Sequence, residues 1–88
     1  MTERISVEVE FFASLRGKTN KESENMALTK GCSLENLCEI LKEKYPSAFR
    51  VPMNEYVFVV NGKKQDPRRT LLLCDKDNVS VFPLVGGG

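Results

Sequence analysis

Residues 79–88 read Val79-Ser80-Val81-Phe82-Pro83-Leu84-Val85-Gly86-Gly87-Gly88, an apolar run followed by three glycines. A run of this kind is typical of a β-strand. Pro83 has no amide hydrogen, so we expect ladder pairing to fail there and the chain beyond it to leave the domain. Glycine lacks a Cβ, and its backbone can be approached from every side. We predict a domain over residues 1–85 and a flexible tail, 86–88, whose terminal carboxylate enters a narrow enzyme slot; the alternative is a frayed terminus without a role.

The first half of the chain predicts two further strands. Residues 5–11 alternate strictly between apolar and polar, which predicts a half-buried strand. We expect residues 13–15 to carry that strand outward and residues 17–20 to form a polar turn. Residues 21–30 alternate more weakly and carry charged side chains, as an edge strand antiparallel to the first would.

A hairpin and a short turn are predicted over residues 56–73, before the closing strand. Residues 56–60 read YVFVV and predict an apolar strand. Asn61-Gly62 is the strongest short hairpin signal, and residues 63–65 return from it. The three leucines at residues 71–73 are expected to form a short buried turn.

One clear helix lies in the middle of the sequence. Ser33 is placed to cap it, and Leu34, Leu37 and Leu41 follow the three-and-four spacing of a buried stripe. Pro46 is expected to end it. A helix across one face of a small mixed sheet buries both apolar sets. We therefore predict an α+β fold, a mixed sheet of four to five strands with one main helix packed across one face.

Composition excludes several classes of function. The 88 residues form one domain, and a net charge of +1 provides no long-range field for nucleic acid or anionic lipid. No apolar run approaches the roughly 20 residues that span a bilayer, and the N-terminus lacks a signal peptide's apolar core, so a cytoplasmic location is expected. The chain has no histidine and three cysteines without a C-x-x-C pair. We expect no metal site and read the thiols as small buried side chains.

A loose basic cluster follows the predicted hairpin, formed by Lys63, Lys64, Arg68 and Arg69. No aromatic residues are interleaved to stack on bases, which argues against a nucleic-acid patch. A solvated loop or a docking patch for an acidic partner surface fits the cluster better.

Three stretches make the chain resemble the MoaD/ThiS family of ubiquitin-like sulfur carriers. Residues 9–16 read VEFFASLR, residues 59–62 read VVNG, and residues 73–79 read LCDKDNV and run into the closing FPLVGGG. Within the family the chain most resembles the small subunits of molybdopterin synthase. It departs from the family at Lys76, where a glycine is usual, and at Gly86, where a larger residue usually precedes the glycine pair. Lys76 is therefore a candidate for a strained positive φ.

The resemblance implies a β-grasp fold and a mechanism centred on Gly88. A ubiquitin-activating-type adenylyltransferase would use ATP to adenylate Gly88, and a sulfur donor would convert the adenylate to a thiocarboxylate. Gly86 and Gly87 would let the tail insert into the large subunit of molybdopterin synthase. The chain itself would bind no cofactor or metal and would catalyse nothing alone, acting as the small subunit of a heteromeric synthase.

The partner surface is expected on the sheet face away from the helix, next to the tail. Alternation along the strands leaves apolar side chains there beyond what a small monomer exposes, unless the domain covers both sheet faces itself. The predicted interface consists of Phe12, Val81, Phe82, Pro83, Leu84 and Val85.

Other functions stay open at this point. The same adenylate would serve a ubiquitin-like modifier joined through Gly88 to lysines, and a carrier could supply sulfur to thiamine or tRNA thiolation instead. A small RNA-binding module is the third reading, and it would leave the glycines unexplained.

Overall fold

The computed structural model describes residues 3–50, 55–69 and 71–84. These contain a five-stranded sheet and two helices. In chain order the elements are β1 (Arg4–Phe11), α1 (Ser14–Thr19), β2 (Ser23–Thr29), α2 (Leu34–Lys44), β3 (Tyr56–Val60), β4 (Lys63–Gln65) and β5 (Asn78–Pro83). The predicted α+β arrangement with one main helix is confirmed, and α1 is a short addition to it.

The sheet is mixed, with the strand order β2-β1-β5-β3-β4. β1 and β5 run parallel, in a register that pairs Val9 with Val79, and the other neighbours are antiparallel. The first and last strands of the chain therefore lie side by side in the middle of the sheet. As a result β5, which leads into the glycines, has a hydrogen-bonded neighbour on each side.

The core lies between this sheet and α2. Val9, Phe11 and Phe58 from the sheet are fully buried, as are Leu37 and Leu41 from the helix. A capping box starts α2, since the Ser33 hydroxyl accepts from the Asn36 amide at 3.1 Å and the Asn36 side chain accepts from the Ser33 amide at 3.1 Å. The predicted cap and buried stripe are thus confirmed, with Asn36 completing the box.

The expectation that residues 13–15 extend β1 is wrong. Ala13 has φ 54° and ψ −132°, a sharp turn that takes the chain out of the strand. The chain then forms α1, in which Leu15 is buried and Thr19 donates its hydroxyl proton to the Leu15 carbonyl at 2.8 Å. The six-residue helix was missed because its turn geometry comes from an alanine, where sequence patterns call for glycine.

The predicted buried turn at residues 71–73 is wrong for Leu72. That side chain is 59% exposed, whereas Leu73 is buried. Leu72 forms an isolated antiparallel bridge with Ser33, and the Leu34 and Leu73 amides donate across it to the Leu71 and Cys32 carbonyls. The segment is therefore extended, so neighbouring side chains point in opposite directions.

The β3–β4 hairpin turn and the turn before β5 also place residues at positive φ. Asn61 and Gly62 have φ 51° and 84°, the geometry of the predicted two-residue hairpin. Lys76 has φ 70°, so the lysine that stands in place of glycine does adopt the left-handed conformation. Its amide donates to the Ser6 carbonyl at 2.6 Å, which ties this turn to β1. In the segments that the structure describes, no helix is long and apolar enough to cross a membrane.

Candidate functional site

The candidate site is the end of the sheet at which β5, the last strand, ends. β5 ends at Pro83, and the Leu84 amide still donates to the Glu55 carbonyl at 2.8 Å. Leu84 is the last described residue, and its side chain is 55% exposed. The predicted roles of Val85, Gly86, Gly87 and Gly88 lie outside the described residues.

Pro83 does not end pairing as predicted on the β3 side. It lies opposite Tyr56 in the β3–β5 register, and pairing continues to Leu84. Backbone amides alternate sides along a strand, so a proline between two residues that face β3 has its missing amide on the β1 side. The β1–β5 register stops at Val81, and Pro83 therefore removes no ladder bond.

Two aromatic rings form the centre of the exposed sheet face at this end. Phe12 and Phe82 stack with ring centroids 4.4 Å apart and an angle of 15° between the planes. Both rings are half-buried. Arg16 lies with its guanidinium carbon 5.4 Å from the Phe12 centroid, while its Nε donates to the Phe11 carbonyl at 2.9 Å. The stack is therefore held in place from one side by a cation–π contact.

Val57 and Leu84 extend this surface toward β3. Val57 pairs with Phe82 across β3 and β5, and cross-strand partners share one face of a sheet. Leu84 follows two residues after Phe82 and so points to the same face. The apolar patch is defined as Phe12, Val57, Phe82 and Leu84. It lies on the face opposite α2, at the base of the tail.

The predicted interface residues do not all reach this patch. Phe12, Phe82 and Leu84 belong to it, whereas half-buried Pro83 pairs with buried Tyr56 and so points to the other face. Val81 is fully buried in the core, because adjacent residues of a strand point to opposite faces and Phe82 points outward. Val57 was missed in the sequence, although its alternation with buried Tyr56 and Phe58 carried the signal.

The turn that precedes α1 adds backbone strain beside the patch. Ala13 combines φ 54° with ψ −132°, a conformation that glycine adopts readily and alanine only at a cost of about 1–3 kcal/mol. It follows Phe12 directly, and the Phe12 carbonyl accepts from the Leu15 amide at 3.1 Å. The strained turn thereby fixes the direction in which Phe12 leaves β1.

A groove lies next to the patch, between the β3–β4 hairpin and the turn at residues 66–69. Its cavity volume is about 530 Å³, and Val57 and Leu84 contribute to its apolar lining. The basic groove is named for Lys64, Arg68 and Arg69, which also line it. Three of the four residues of the predicted basic cluster therefore converge here, while Lys63 does not line the groove.

Two of the three cysteines, Cys32 and Cys38, are buried. Burial raises the pKa of the Cys38 thiol to about 12, and burial also raises the pKa of the Cys32 thiol. Both are therefore protonated near neutral pH and are poor nucleophiles. Cys74 is exposed. Across residues 3–50, 55–69 and 71–84, no three side chains of the metal-binding types group together.

The sequence profile of the ThiS family matches residues 9–88, nearly the whole chain. The chain belongs to the ThiS family. This confirms the resemblance to the MoaD/ThiS ubiquitin-like sulfur carriers. No curated protein sequence matches the chain significantly.

Solved structures place this ThiS family member in the β-grasp fold. A protein from Pyrococcus furiosus described as molybdopterin converting factor, subunit 1, is 26% identical, with a TM-score of 0.79 over 92% of this chain and 99% of its own. SAMP1 from Haloferax volcanii is 18% identical, with a TM-score of 0.77 over 94% and 99% of the two chains. A de novo designed protein based on ubiquitin is 18% identical, with a TM-score of 0.61 over 93% and 90%. The predicted ubiquitin-like fold is confirmed.

Proposed function

We propose that this ThiS family member is a sulfur carrier for molybdopterin synthesis, with Gly88 as the residue that carries sulfur. The observation that carries the proposal is the 26% identity to the Pyrococcus furiosus protein, which extends over 92% of this chain and 99% of that one. That protein is described as subunit 1 of molybdopterin converting factor. We extend its role to this chain.

The proposed chemistry starts from an unreactive group. A terminal carboxylate has a pKa of about 3.3–3.7, so Gly88 is an anion at neutral pH and a poor electrophile. One carboxylate oxygen attacks the α-phosphorus of ATP, and pyrophosphate leaves. A sulfide-equivalent nucleophile then attacks the acyl carbon, AMP leaves, and the thiocarboxylate remains. The ubiquitin-activating-type partner supplies the ATP site and the catalytic groups for these steps.

In this proposal, partner proteins bind this end of the sheet while the chemistry takes place at Gly88. In the proposal the large subunit of molybdopterin synthase docks on the apolar patch together with Val85, and Gly86 and Gly87 carry the thiocarboxylate into its active site. A half-buried aromatic stack next to an exposed leucine is the kind of apolar anchor that protein interfaces use. Because activation consumes ATP, the proposed place of action is the cytoplasm.

Intact-mass spectrometry tests the proposal directly. The protein is incubated with the activating enzyme of the same organism, ATP and sulfide, and we expect the mass to increase by the difference between one sulfur and one oxygen atom. Omitting ATP is the control and should leave the mass unchanged. Addition of the large synthase subunit and the pterin precursor should then return the carrier to its original mass. An unchanged mass in the complete mixture contradicts the proposal.

The same experiment distinguishes the rival functions. A protein modifier would form adducts between Gly88 and lysines of other proteins without gaining sulfur. A carrier for thiamine or for tRNA thiolation would gain sulfur but would not release it to the pterin precursor. The first outcome removes the carrier proposal, and the second removes only its molybdopterin branch.

A further inference from the structure

The basic groove and the base of the tail share one end of the sheet. β5 ends there, β3 is antiparallel to β5 and starts there, and β4 is antiparallel to β3 and ends there. Leu84, the last residue described, is part of the groove lining. A partner that binds the chain next to Leu84 is therefore also in position to contact the groove.

The cations of the groove are not neutralised equally within the domain. Arg68 forms a two-point contact with Asp66, with its Nε and Nη2 at 3.1 Å and 3.0 Å from the two carboxylate oxygens. This contact holds the pKa of Asp66 down at about 2, so the carboxylate stays charged. Within the parts of the chain that the structure describes, the side chains of Lys64 and Arg69 form no such two-point contact, although the charge of Arg69 helps to lower the pKa of Asp66.

The groove therefore combines an apolar floor with two cations, Lys64 and Arg69, that form no close ion pair among the described residues, and Asp66 also lines it. Val57 and Leu84 supply that floor and also belong to the apolar patch, so the two surfaces are continuous. The complementary ligand is a peptide segment that carries carboxylates beside at least one apolar side chain. Carboxylates are the groups that guanidinium and ammonium side chains bind best in proteins.

We propose that the basic groove binds an acidic segment of the activating enzyme, with Lys64 and Arg69 as the residues that recognise its carboxylates. The inference rests on the proposed function. The activating enzyme must bind this chain before the tail carries any distinguishing chemical group, because at that stage the tail ends in an ordinary carboxylate. Recognition therefore has to come from the folded body next to the tail.

Steady-state pyrophosphate exchange with the activating enzyme of the same organism tests this inference. The variant Lys64→Ala/Arg69→Ala should raise the KM for the carrier roughly 3- to 30-fold with little change in kcat, the effect expected for two partly exposed ion pairs. The KM of the wild type should rise with salt, and that of the variant should rise less. Both residues are exposed, so the thermal midpoint should stay nearly unchanged.

A matched control variant removes the same charges elsewhere. Lys63 is the neighbour of Lys64 on β4 and points to the opposite face, and Arg4 starts β1 at the other end of the sheet. The variant Arg4→Ala/Lys63→Ala has the same net charge as the test variant and should keep the wild-type KM. An equal rise in KM for both variants would mean that net charge alone matters, and it would overturn the proposal.

Two further outcomes separate the groove from the carrier function. If the wild type supports exchange and the KM of Lys64→Ala/Arg69→Ala is unchanged, the groove proposal is wrong and the proposed function stands. If the wild type supports no exchange, the proposed function fails and this inference fails with it. A labelled single-stranded RNA is a second probe, and RNA binding that only the groove variant loses, with exchange unaffected, would overturn the protein-partner assignment.

Discussion

At the scale of single residues, the predicted site was partly recoverable from alternation alone. Alternation assigns Val81 and Phe82 to opposite faces, but it does not say which of them faces the core. The structure buries Val81 and leaves Phe82 half-exposed against Phe12. The Phe12 ring lies on the outer face because Phe11, the residue before it, points into the core. The strained turn at Ala13 follows directly, and no sequence pattern predicts that turn.

The Phe12–Phe82 stack yields the first prediction. Phe12→Ala removes the stack and the ring under Arg16, and we expect the Kd for the large synthase subunit to rise about tenfold or more because buried aromatic anchors dominate interfaces. The free energy of unfolding should fall by only about 1–2 kcal/mol, since the ring is half-buried and such a stack contributes about 0.5–1.5 kcal/mol. Calorimetric titration and urea unfolding measure the two quantities.

Ile40→Ala is the control for this variant. Ile40 is a partly buried apolar residue on α2, in the layer opposite the patch, so its removal should destabilise the domain without affecting the Kd. The interface assignment is wrong if both variants weaken binding equally, or if Phe12→Ala binds as the wild type does.

At the scale of the elements, the sequence patterns predicted the five strands and α2. They missed α1 and the exposure of Leu72, which depend on turn geometry and long-range pairing. β1, β2 and α2 follow from regular spacing, β3 and β5 follow from apolar runs, and β4 follows from Asn61-Gly62. The short helix α1 depends on a positive φ at an alanine, which carries no compositional signal. Leu72 is exposed because residues 71–73 are extended beside Ser33, a long-range pairing that local sequence does not contain.

The contacts that join β2 to α2 are also long-range and cannot be predicted from the local sequence. Glu24 on the edge strand accepts hydrogen bonds from Lys44 and Tyr45 at the end of the helix and from Lys21 next to the strand. Burial, the largest single effect, raises the pKa of Glu24, but the hydrogen bonds from Lys44, Tyr45 and Lys21 together outweigh it. The pKa is therefore lowered from its ordinary value of 4.5.

This lowered pKa makes the stability of the domain depend on pH. The unfolded chain binds a proton at Glu24 more readily than the folded one, so the contribution is present above about pH 4.5 and is lost as the pH falls through the folded pKa. We expect Glu24→Gln to cost about 1–2 kcal/mol at pH 7, the loss expected for hydrogen bonds to a charged group, and less as the pH falls from about 5 to 3. Urea unfolding across this pH range measures the difference.

Asp66→Asn is the matched control for the acid titration. The pKa of Asp66 is also lowered, to about 2, chiefly by its hydrogen bonds with Arg68 two residues away. Its contact joins no two elements of the fold and lies at the surface, where solvent screens it. The variant should therefore change the pH dependence of the free energy of unfolding less than Glu24→Gln does. If the free energy of unfolding of Glu24→Gln depends on pH as that of the wild type does, the contact of Glu24 with Lys44 and Tyr45 does not link the sheet to α2.

At the scale of the whole molecule, the sheet places three features at one end. The parallel β1–β5 pair brings Phe12 beside the end of β5, and the antiparallel β3–β4 hairpin brings Lys64 and the turn at residues 66–69 to the same place. These residues are far apart in sequence and become neighbours only through the strand order. The three-stretch resemblance located the family, but it did not locate the groove, because the groove depends on this topology.

The division between body and tail provides the last prediction. Deleting Gly87 and Gly88 should abolish pyrophosphate exchange completely, since the residue that we propose is adenylated is gone, while the free energy of unfolding changes by less than about 0.5 kcal/mol. Truncation after Pro83 is the control: it removes the hydrogen bond from the Leu84 amide to the Glu55 carbonyl and should cost about 0.5–1.5 kcal/mol. If the deletion of Gly87 and Gly88 lowers the free energy of unfolding as much as the truncation after Pro83, the last two glycines belong to the folded domain. The proposed separation of a stable domain from a reactive C-terminal segment would then be wrong for this protein.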